Sequence, residues 1–253
     1  MGNLNGKRAL VTGGGQGLGY AIVEHLLDAG ADVAIHYFSS ETGARELKVL
    51  AEKKVRRAET FRADLTKETD ATALVNNAAK YLGGLDVLVN NAGDLVQRRW
   101  IQEVDAAFWE HVMNVNVASM LWVTRAAVPW LENAGQASIV NLSSLAGRKG
   151  GHAGSLVYST AKGAVLTWTR ALANELAPKG IRVNAVAPGF ILGTRFHQTH
   201  TTDESARKTI EQIPLQRAGA PSDVARGVAY LASEYDGFIT GATLDINGGV
   251  YAA

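Results

Sequence analysis

Short apolar runs alternate with longer amphipathic stretches from one end of this chain to the other. Residues 8–12 read as a strand and lead into a glycine-rich turn. Residues 20–29 then place Ala21, Ile22, Leu26 and Leu27 at helical spacing, closed by Gly30. The same reasoning predicts strands at 32–37, 58–62, 85–89, 138–142, 181–186 and 242–246. Helices are predicted at 41–54, 67–82, 104–112, 115–132, 157–177 and 222–233. Strand and helix alternating at this spacing predict an α/β fold, a doubly wound parallel sheet with helices on both faces. No Pro/Ser linker, repeat, low-complexity segment or charge block interrupts the pattern, so one domain is expected over 1–253. Residues 189–216 have poor periodicity, and irregular stretches of that length tend to be lids or binding loops. Phe190, Ile191, Leu192, Phe196 and Ile213 give that stretch apolar content that needs somewhere to pack.

Two local patterns carry chemistry. Thr12-Gly13-Gly14-Gly15-Gln16-Gly17-Leu18-Gly19 lies between the first strand and the first helix. Glycines there permit positive φ and close approach of a ligand, and the following helix offers N–H groups and a positive dipole end to a phosphate. The spacing is T-G-x-x-x-G-x-G rather than the commoner G-x-G-x-x-G. Farther on, Tyr158 and Lys162 stand at i and i+4, on one face of a helix. A phenol titrates near 10. A neighbouring ammonium would lower that value and fit the phenol for proton exchange with a carbonyl or alcohol. Ser143-Ser144 ends the preceding strand, at the edge where parallel sheets bind ligands, and a hydroxyl there could hold a substrate oxygen.

Composition narrows the field. The 253 residues are 47% hydrophobic and 19% charged, a globular balance, and 25 Lys+Arg against 24 Asp+Glu give a net charge of +1. No polybasic field is present to hold nucleic acid or an anionic membrane. There is no cysteine, hence no disulfide, thiolate zinc site or thiol nucleophile. His197 and His200 are close-set but lack a third ligand, so no metal is expected. With neither a signal-like start nor an apolar span, a soluble cytoplasmic protein is expected.

Taken together, these residues resemble the short-chain dehydrogenase/reductase family along essentially the whole chain, and most closely its 3-oxoacyl-carrier-protein reductase-like branch. Beyond Gly13, Gly17, Gly19, Tyr158 and Lys162, the resemblance includes Asn90-Asn91-Ala92-Gly93, Asp64-Leu65, Asn114-Val-Asn116, Pro188-Gly189 and the C-terminal Asp245-Ile-Asn-Gly248-Gly249. It implies a Rossmann-like fold with Ser144, Tyr158, Lys162 and Asn116 as catalytic residues. Tyr158 would exchange the proton, Ser144 would hold the oxygen, and Lys162 would lower the tyrosine pKa and hold the ribose. Asn116 would order a water joining Lys162 to solvent. Cofactor contacts carried over by the resemblance are Gly13, Gln16, Gly17, Leu18, Gly19, Tyr37, Ser39, Ser40, Asp64, Leu65, Asn91, Ala92, Gly93, Pro188, Gly189 and Thr194, with Tyr158 and Lys162. Two spacings depart from the family. Ser144 lies 14 residues before Tyr158, one more than usual, which the glycine-rich loop 147–154 would absorb, and Thr194 stands one residue farther from Pro188 than in many relatives.

The resemblance implies hydride transfer between a nicotinamide and a small ketone or secondary alcohol. A 3-oxoacyl-carrier-protein reductase is the narrower alternative. It is disfavoured because residues 131–135 offer no cation beside Lys179 to dock an acidic carrier. A nucleotide-binding regulator without chemistry is a second alternative, which the intact four catalytic positions disfavour. No carboxylate ends the second strand, where Tyr37 stands in the place of the acid that favours NAD. NADP(H) is therefore expected, with NAD(H) possible. Ser39 and Ser40 could receive its phosphate, and His36 could add partial charge or serve in strand packing, a role at least as well suited to it. Phe190, Ile191, Leu192, Phe196, Leu145 and Val157 suggest an apolar substrate pocket. A homotetramer is expected, built on the helices around the serine–tyrosine loop and on the last strand.

Overall fold

The strands form where short apolar runs meet turn signals, and all of them run the same way. The computed structural model describes residues 3–194, 202–233 and 237–252. Its elements are β1 (Arg8–Val11), α1 (Gly17–Asp28), β2 (Asp32–Tyr37), α2 (Glu41–Lys53), β3 (Ala58–Arg62), α3 (Glu68–Leu82) and β4 (Val87–Asn90). There follow α4 (Ala106–Met113), a π-helical turn (Asn114–Ala118), α5 (Ser119–Glu132), β5 (Ala137–Leu142), α6 (Leu145–Lys149), α7 (Leu156–Leu176) and β6 (Ile181–Pro188). The chain ends with α8 (Asp203–Glu211), α9 (Pro221–Ala232) and β7 (Thr243–Ile246). The seven strands form one sheet in the order β3-β2-β1-β4-β5-β6-β7, and each neighbouring pair is parallel.

The pleat sorts the core into two layers. Val11, Val33, Ile35, Val89 and Val140 face α1, α2 and α9, while Leu10, Ala34, Leu88, Ile139 and Val183 face α3, α5 and α7. Burying each such valine, leucine or isoleucine contributes roughly 1.5–3 kcal/mol, and the central strands β1, β4 and β5 are accordingly rich in them, whereas the edge strands β3 and β7 are more polar. A chain of side-chain hydrogen bonds crosses this apolar interior. Asn90 Nδ2 donates to Thr124 Oγ1 at 3.0 Å and to Asn141 Oδ1 at 2.9 Å, and Asn141 Nδ2 donates to Thr169 Oγ1 at 3.0 Å.

Some elements differ from the expectation. Helix α1 opens at Gly17 rather than 20, because the glycines of its first turn carry no apolar signal. The helices expected at 104–112 and 115–132 are joined through the π-helical turn. The irregular stretch 189–216 contains α8, which buries no residue and so shows no apolar stripe. Part of the glycine-rich loop 147–154 is helical too. Gly147 lies in α6, where a Cβ would sit 2.5 Å from the Lys162 carbonyl carbon, so the loop proper begins at Gly150.

Strand order reverses between β1 and β4, and the crevice at such a switch is where open parallel sheets bind ligands. Among the described residues no helix is long and apolar enough to cross a membrane, and no three His, Asp or Glu side chains gather as a metal site.

Candidate active site

Two loops at the switch hold each other. Gly13 and Gly17 adopt φ of +65° and +56°, the left-handed region that glycine enters without strain. Asn91, just after β4, donates from Nδ2 to the carbonyls of Thr12 (2.9 Å) and Gly13 (3.1 Å). Thr12 Oγ1 accepts from the N–H groups of Asn91 and Ala92, both at 3.0 Å. At Gly19 a Cβ would fall inside van der Waals contact of the Gly13 oxygen and 2.6 Å from Asn91 Nδ2. No side chain caps α1 and no acid sits in its first turn, so its positive end faces the cleft unneutralised. This cradle, too tight for any side chain, fits the pyrophosphate of a dinucleotide.

His36 pins the glycine turn from below. Its Nδ1 accepts from the Gly13 N–H at 2.9 Å, so Nε2 carries the proton and donates to the Ala63 carbonyl at 3.2 Å. Burial pushes its pKa down to about 4, with the Ala63 hydrogen bond opposing. Of the two roles open to His36, partial charge toward a phosphate and packing in the strand, its burial and its bonds to the Gly13 N–H and the Ala63 carbonyl fit the second. In the unfolded chain its pKa is near 6.5. The stability it contributes is thus full above pH 6.5 and is lost as pH falls toward 4, up to about 3 kcal/mol. Urea midpoints measured over this range should drop more steeply for the wild type than for His36→Asn. Parallel profiles would refute the assignment.

A cleft of about 1340 Å³ runs along the carboxyl ends of the strands. It is lined at one end by Gln16, Leu18, Ser39, Ser40, Asp64 and Leu65, and near its middle by Ala92, Gly93, Pro188, Gly189 and Thr194. Asp64 Oδ1 accepts from the Thr66 hydroxyl at 2.6 Å, and that bond is the main reason its carboxyl lies below the usual range. Thr194 closes over the glycine turn, its Cβ 3.7 Å from where a Cβ on Gly17 would lie. Tyr37 is a correction. Alternation along β2 puts His36 and Phe38 on the cleft side, whereas Tyr37 is buried in the core and is not among the described lining residues. Leu145, Phe190 and Ile191 line the cleft as expected of an apolar pocket, but Val157 packs with Phe108 and Val112, and Leu192 is half-exposed outside it. Phe196 lies outside the described residues.

Ser144, Tyr158 and Lys162 meet at the cleft's middle. The two serines of the strand-end pair separate cleanly. Ser143 is buried and donates to the Lys162 carbonyl at 2.8 Å, while Ser144 caps α6 and hydrogen-bonds the Tyr158 phenol. Lys162 Nζ donates to the Leu142 carbonyl at 2.9 Å and lies 5.7 Å from the Tyr158 ring centre. Burial pushes the phenol up to about 12, opposed by the Ser144 bond and reinforced by the Asp94 charge. Burial likewise pushes Lys162 down to about 8, opposed by Asp94. The expected lowering of the tyrosine pKa by Lys162 is not among the causes acting on the phenol, which are burial, the Ser144 bond and the Asp94 charge. Asn116, in the π-helical turn, donates from Nδ2 to the carbonyls of Asp94 (2.7 Å) and Val112 (2.9 Å), and its Oδ1 accepts from the Asp94 N–H at 3.1 Å. Both amide hydrogens are spent, so a water relay could use only the remaining lone pair of Oδ1. Gly93 lets the groups converge: a Cβ there would sit 2.6 Å from Asn116 Oδ1 and 2.9 Å from Lys162 Nζ.

Residues 13–251 match a family model described as enoyl-(acyl carrier protein) reductase. The 3-oxoacyl-(acyl-carrier-protein) reductase FabG of Staphylococcus aureus is 35% identical over 247 residues, 97% of this chain and 98% of that protein. A short chain dehydrogenase from Burkholderia cenocepacia, solved in complex with NADP, superposes with a TM-score of 0.91 at 34% identity, covering 99% of this chain and all of the other. The chain is a short-chain dehydrogenase/reductase. A 7α-hydroxysteroid dehydrogenase complexed with NADH and 7-oxo glycochenodeoxycholic acid superposes with a TM-score of 0.93 at 30% identity, covering 98% and 95% of the two chains. This short-chain dehydrogenase/reductase is an NAD(P)-dependent oxidoreductase acting between alcohols and ketones. Its glycine cradle, Asn91 clamp and Gly93 opening are the residues that would hold the dinucleotide.

Sequence reasoning missed three charged residues in or beside this enzyme's site. Asp94, directly after Gly93, bears on both Tyr158 and Lys162. Arg45 and Arg62 surround Glu41 at the end of β2: Arg45 binds the carboxylate at 2.6 Å and is the main cause holding it below its usual range, with Tyr37 and Arg62 adding to that. The i,i+4 spacing of Glu41 and Arg45 was the available signal.

Proposed function

We propose that this reductase acts on small free ketones and secondary alcohols in the cytoplasm, prefers NADP(H) while accepting NAD(H), and works as a homotetramer. The convergence of Ser144, Tyr158 and Lys162 beside the side-chain-free Gly93 carries the catalytic reading. The bound nicotinamide supplies two-electron hydride chemistry. Ser144 Oγ holds the substrate oxygen, and Tyr158 Oη exchanges the proton with it. Lys162 would hold the ribose hydroxyls of the bound dinucleotide, and its ammonium, retained below a pKa of about 8, favours the phenolate. Asn116 fixes the Asp94 backbone and so keeps the wall beside Lys162 in place.

The cofactor preference rests on charge at the end of β2. From the end of β2 through Ser40 no carboxylate lines the cleft, Glu41 is bound by Arg45, and Asp64, which does line this end, accepts from Thr66. A strand end without its own acid repels a 2′-phosphate less than an NAD-type acid would. Steady-state assays with a panel of ketones and diketones should give a higher kcat/KM for NADPH than for NADH. A clear NADH preference overturns the cofactor reading, and inactivity across the panel leaves a non-catalytic nucleotide-binding regulator.

A carrier-protein docking role is less well supported, because Lys179 is paired with Glu132 at 3.3 Å and so presents no free charge to an acidic partner. Assembly is supported by exposed Trp109 within α4 and Leu156 at the start of α7, and by Phe238 before β7 and Leu244 within it. β7 pairs only with β6 among the described strands, an open edge that a second copy would cover. Light scattering should give a tetramer mass at micromolar concentration; a monomer mass overturns it.

A further inference from the structure

The substrate half of the cleft is less apolar than its aliphatic residues suggest. Arg98, Lys149 and His152 line it together with Tyr158, and Asp94 is the only carboxylate there among the described residues. Two pairs of adjacent cations divide their work in the same way. Arg99 binds Asp105 at 3.2 Å, and Arg148 binds Asp245 at 2.9 Å. Their neighbours Arg98 and Lys149 face the cleft, and neither has a carboxylate within ion-pair distance among the described residues. Arg98 is also held in place. Its Nη1 donates to the Ala153 carbonyl at 3.2 Å, and the Arg99 N–H donates to the Gly154 carbonyl at 2.9 Å, so the loop after β4 is zipped to the loop before α7. One Nη1 contact leaves the rest of the guanidinium fork for a ligand. Within the same loop Val96 takes φ of +65°, which a β-branched residue adopts only when its surroundings impose it.

We infer that the substrate is an oxo acid or hydroxy acid whose carboxylate is received by Arg98 and Lys149, with its carbonyl or alcohol carbon at Tyr158. A guanidinium fork on the loop after β4 and an ammonium at the end of α6 match a planar anion, and both are solvent-exposed and open to an incoming ligand. This rests on reading the cleft as the reductase's substrate site.

The test uses the full chain with NADP+, so that a ketone forms a dead-end complex without turnover. Oxo acids of four to seven carbons and their methyl esters are titrated by calorimetry. At least one acid should bind about ten-fold or more tightly than its ester, the scale of a lost charge-assisted hydrogen bond. In Arg98→Gln and Lys149→Gln that ratio should collapse toward one while NADP+ affinity stays at the wild-type value. Acids and esters binding alike in the wild type, neither binding, or variants that keep the ratio would each overturn the inference. Turnover is measured separately with NADPH: reduction of esters and acids at equal efficiency sinks the inference and spares the reductase reading, whereas no reduction of any carbonyl counts against the reductase reading itself.

Discussion

Tyr158→Phe should lower turnover about 100-fold or more, the scale of lost acid–base catalysis, while leaving dinucleotide affinity near the wild-type value. The ring packs against the cluster of Phe108, Val112 and Val157, and phenylalanine keeps that packing, so the loss reports the hydroxyl alone. The resting phenol at about 12 and the lysine at about 8 make the test informative. Proton exchange near neutral pH then requires that the tyrosine be coupled to Ser144 and to a charged Lys162, because the isolated group would hold its proton too tightly. Single-turnover and steady-state rates with reduced dinucleotide check the expectation, and a variant with wild-type turnover would remove Tyr158 from the chemistry.

The second large effect is expected at Gly19. An added methyl would collide with the Gly13 carbonyl and crowd Asn91 Nδ2, both fixed by the loop-to-loop clamp. Neither neighbour is the free end of a flexible side chain, so the turn itself must shift. Gly19→Ala should weaken dinucleotide binding about 100-fold, from roughly 3 kcal/mol of overpacking. Gly163→Ala is the matched control, since a Cβ there would meet only the Gly147 oxygen at an ordinary 3.6 Å. Fluorescence titration of the reduced dinucleotide separates them; equal affinity in both variants would mean the cradle does not hold the pyrophosphate.

The central strands were legible because they are short apolar runs such as Val87–Val89 and Ile139–Val140, whereas β3, Ala58–Arg62, is mostly polar and carries a weaker signal. The glycine turn and the Tyr158–Lys162 pair were legible because their chemistry depends on local spacing. What depends on a neighbour from elsewhere in the chain was not. The inward turn of Tyr37 is set by which face of β2 packs on α2, and the neutrality of His36 by its burial beneath the glycine turn. The lowered Lys162 pKa comes from burial, to which its position at i+4 is blind. Helix α8 hid because it lacks an apolar face, although Thr202 followed by Asp203 and Glu204 is a helix-start signal. Helix α6 has only five residues, too few for a period to show.

The hydrogen-bonded asparagines between β4 and β5 act as an alignment key. Asn90 and Asn141 are register partners, and each reaches onward to a threonine of a flanking helix, Thr124 or Thr169. Two parallel apolar strands would otherwise slide past each other at little cost, since valine, leucine and isoleucine interchange easily in a core. A slip of one residue would turn an asparagine toward the opposite layer and strand its amide among aliphatics, at roughly 1–3 kcal/mol for each unpaired group. Asn91 and Gly93 follow β4 directly, and Ser144 follows β5 within two residues. Polar residues far from solvent thus keep the dinucleotide cradle and the serine in step.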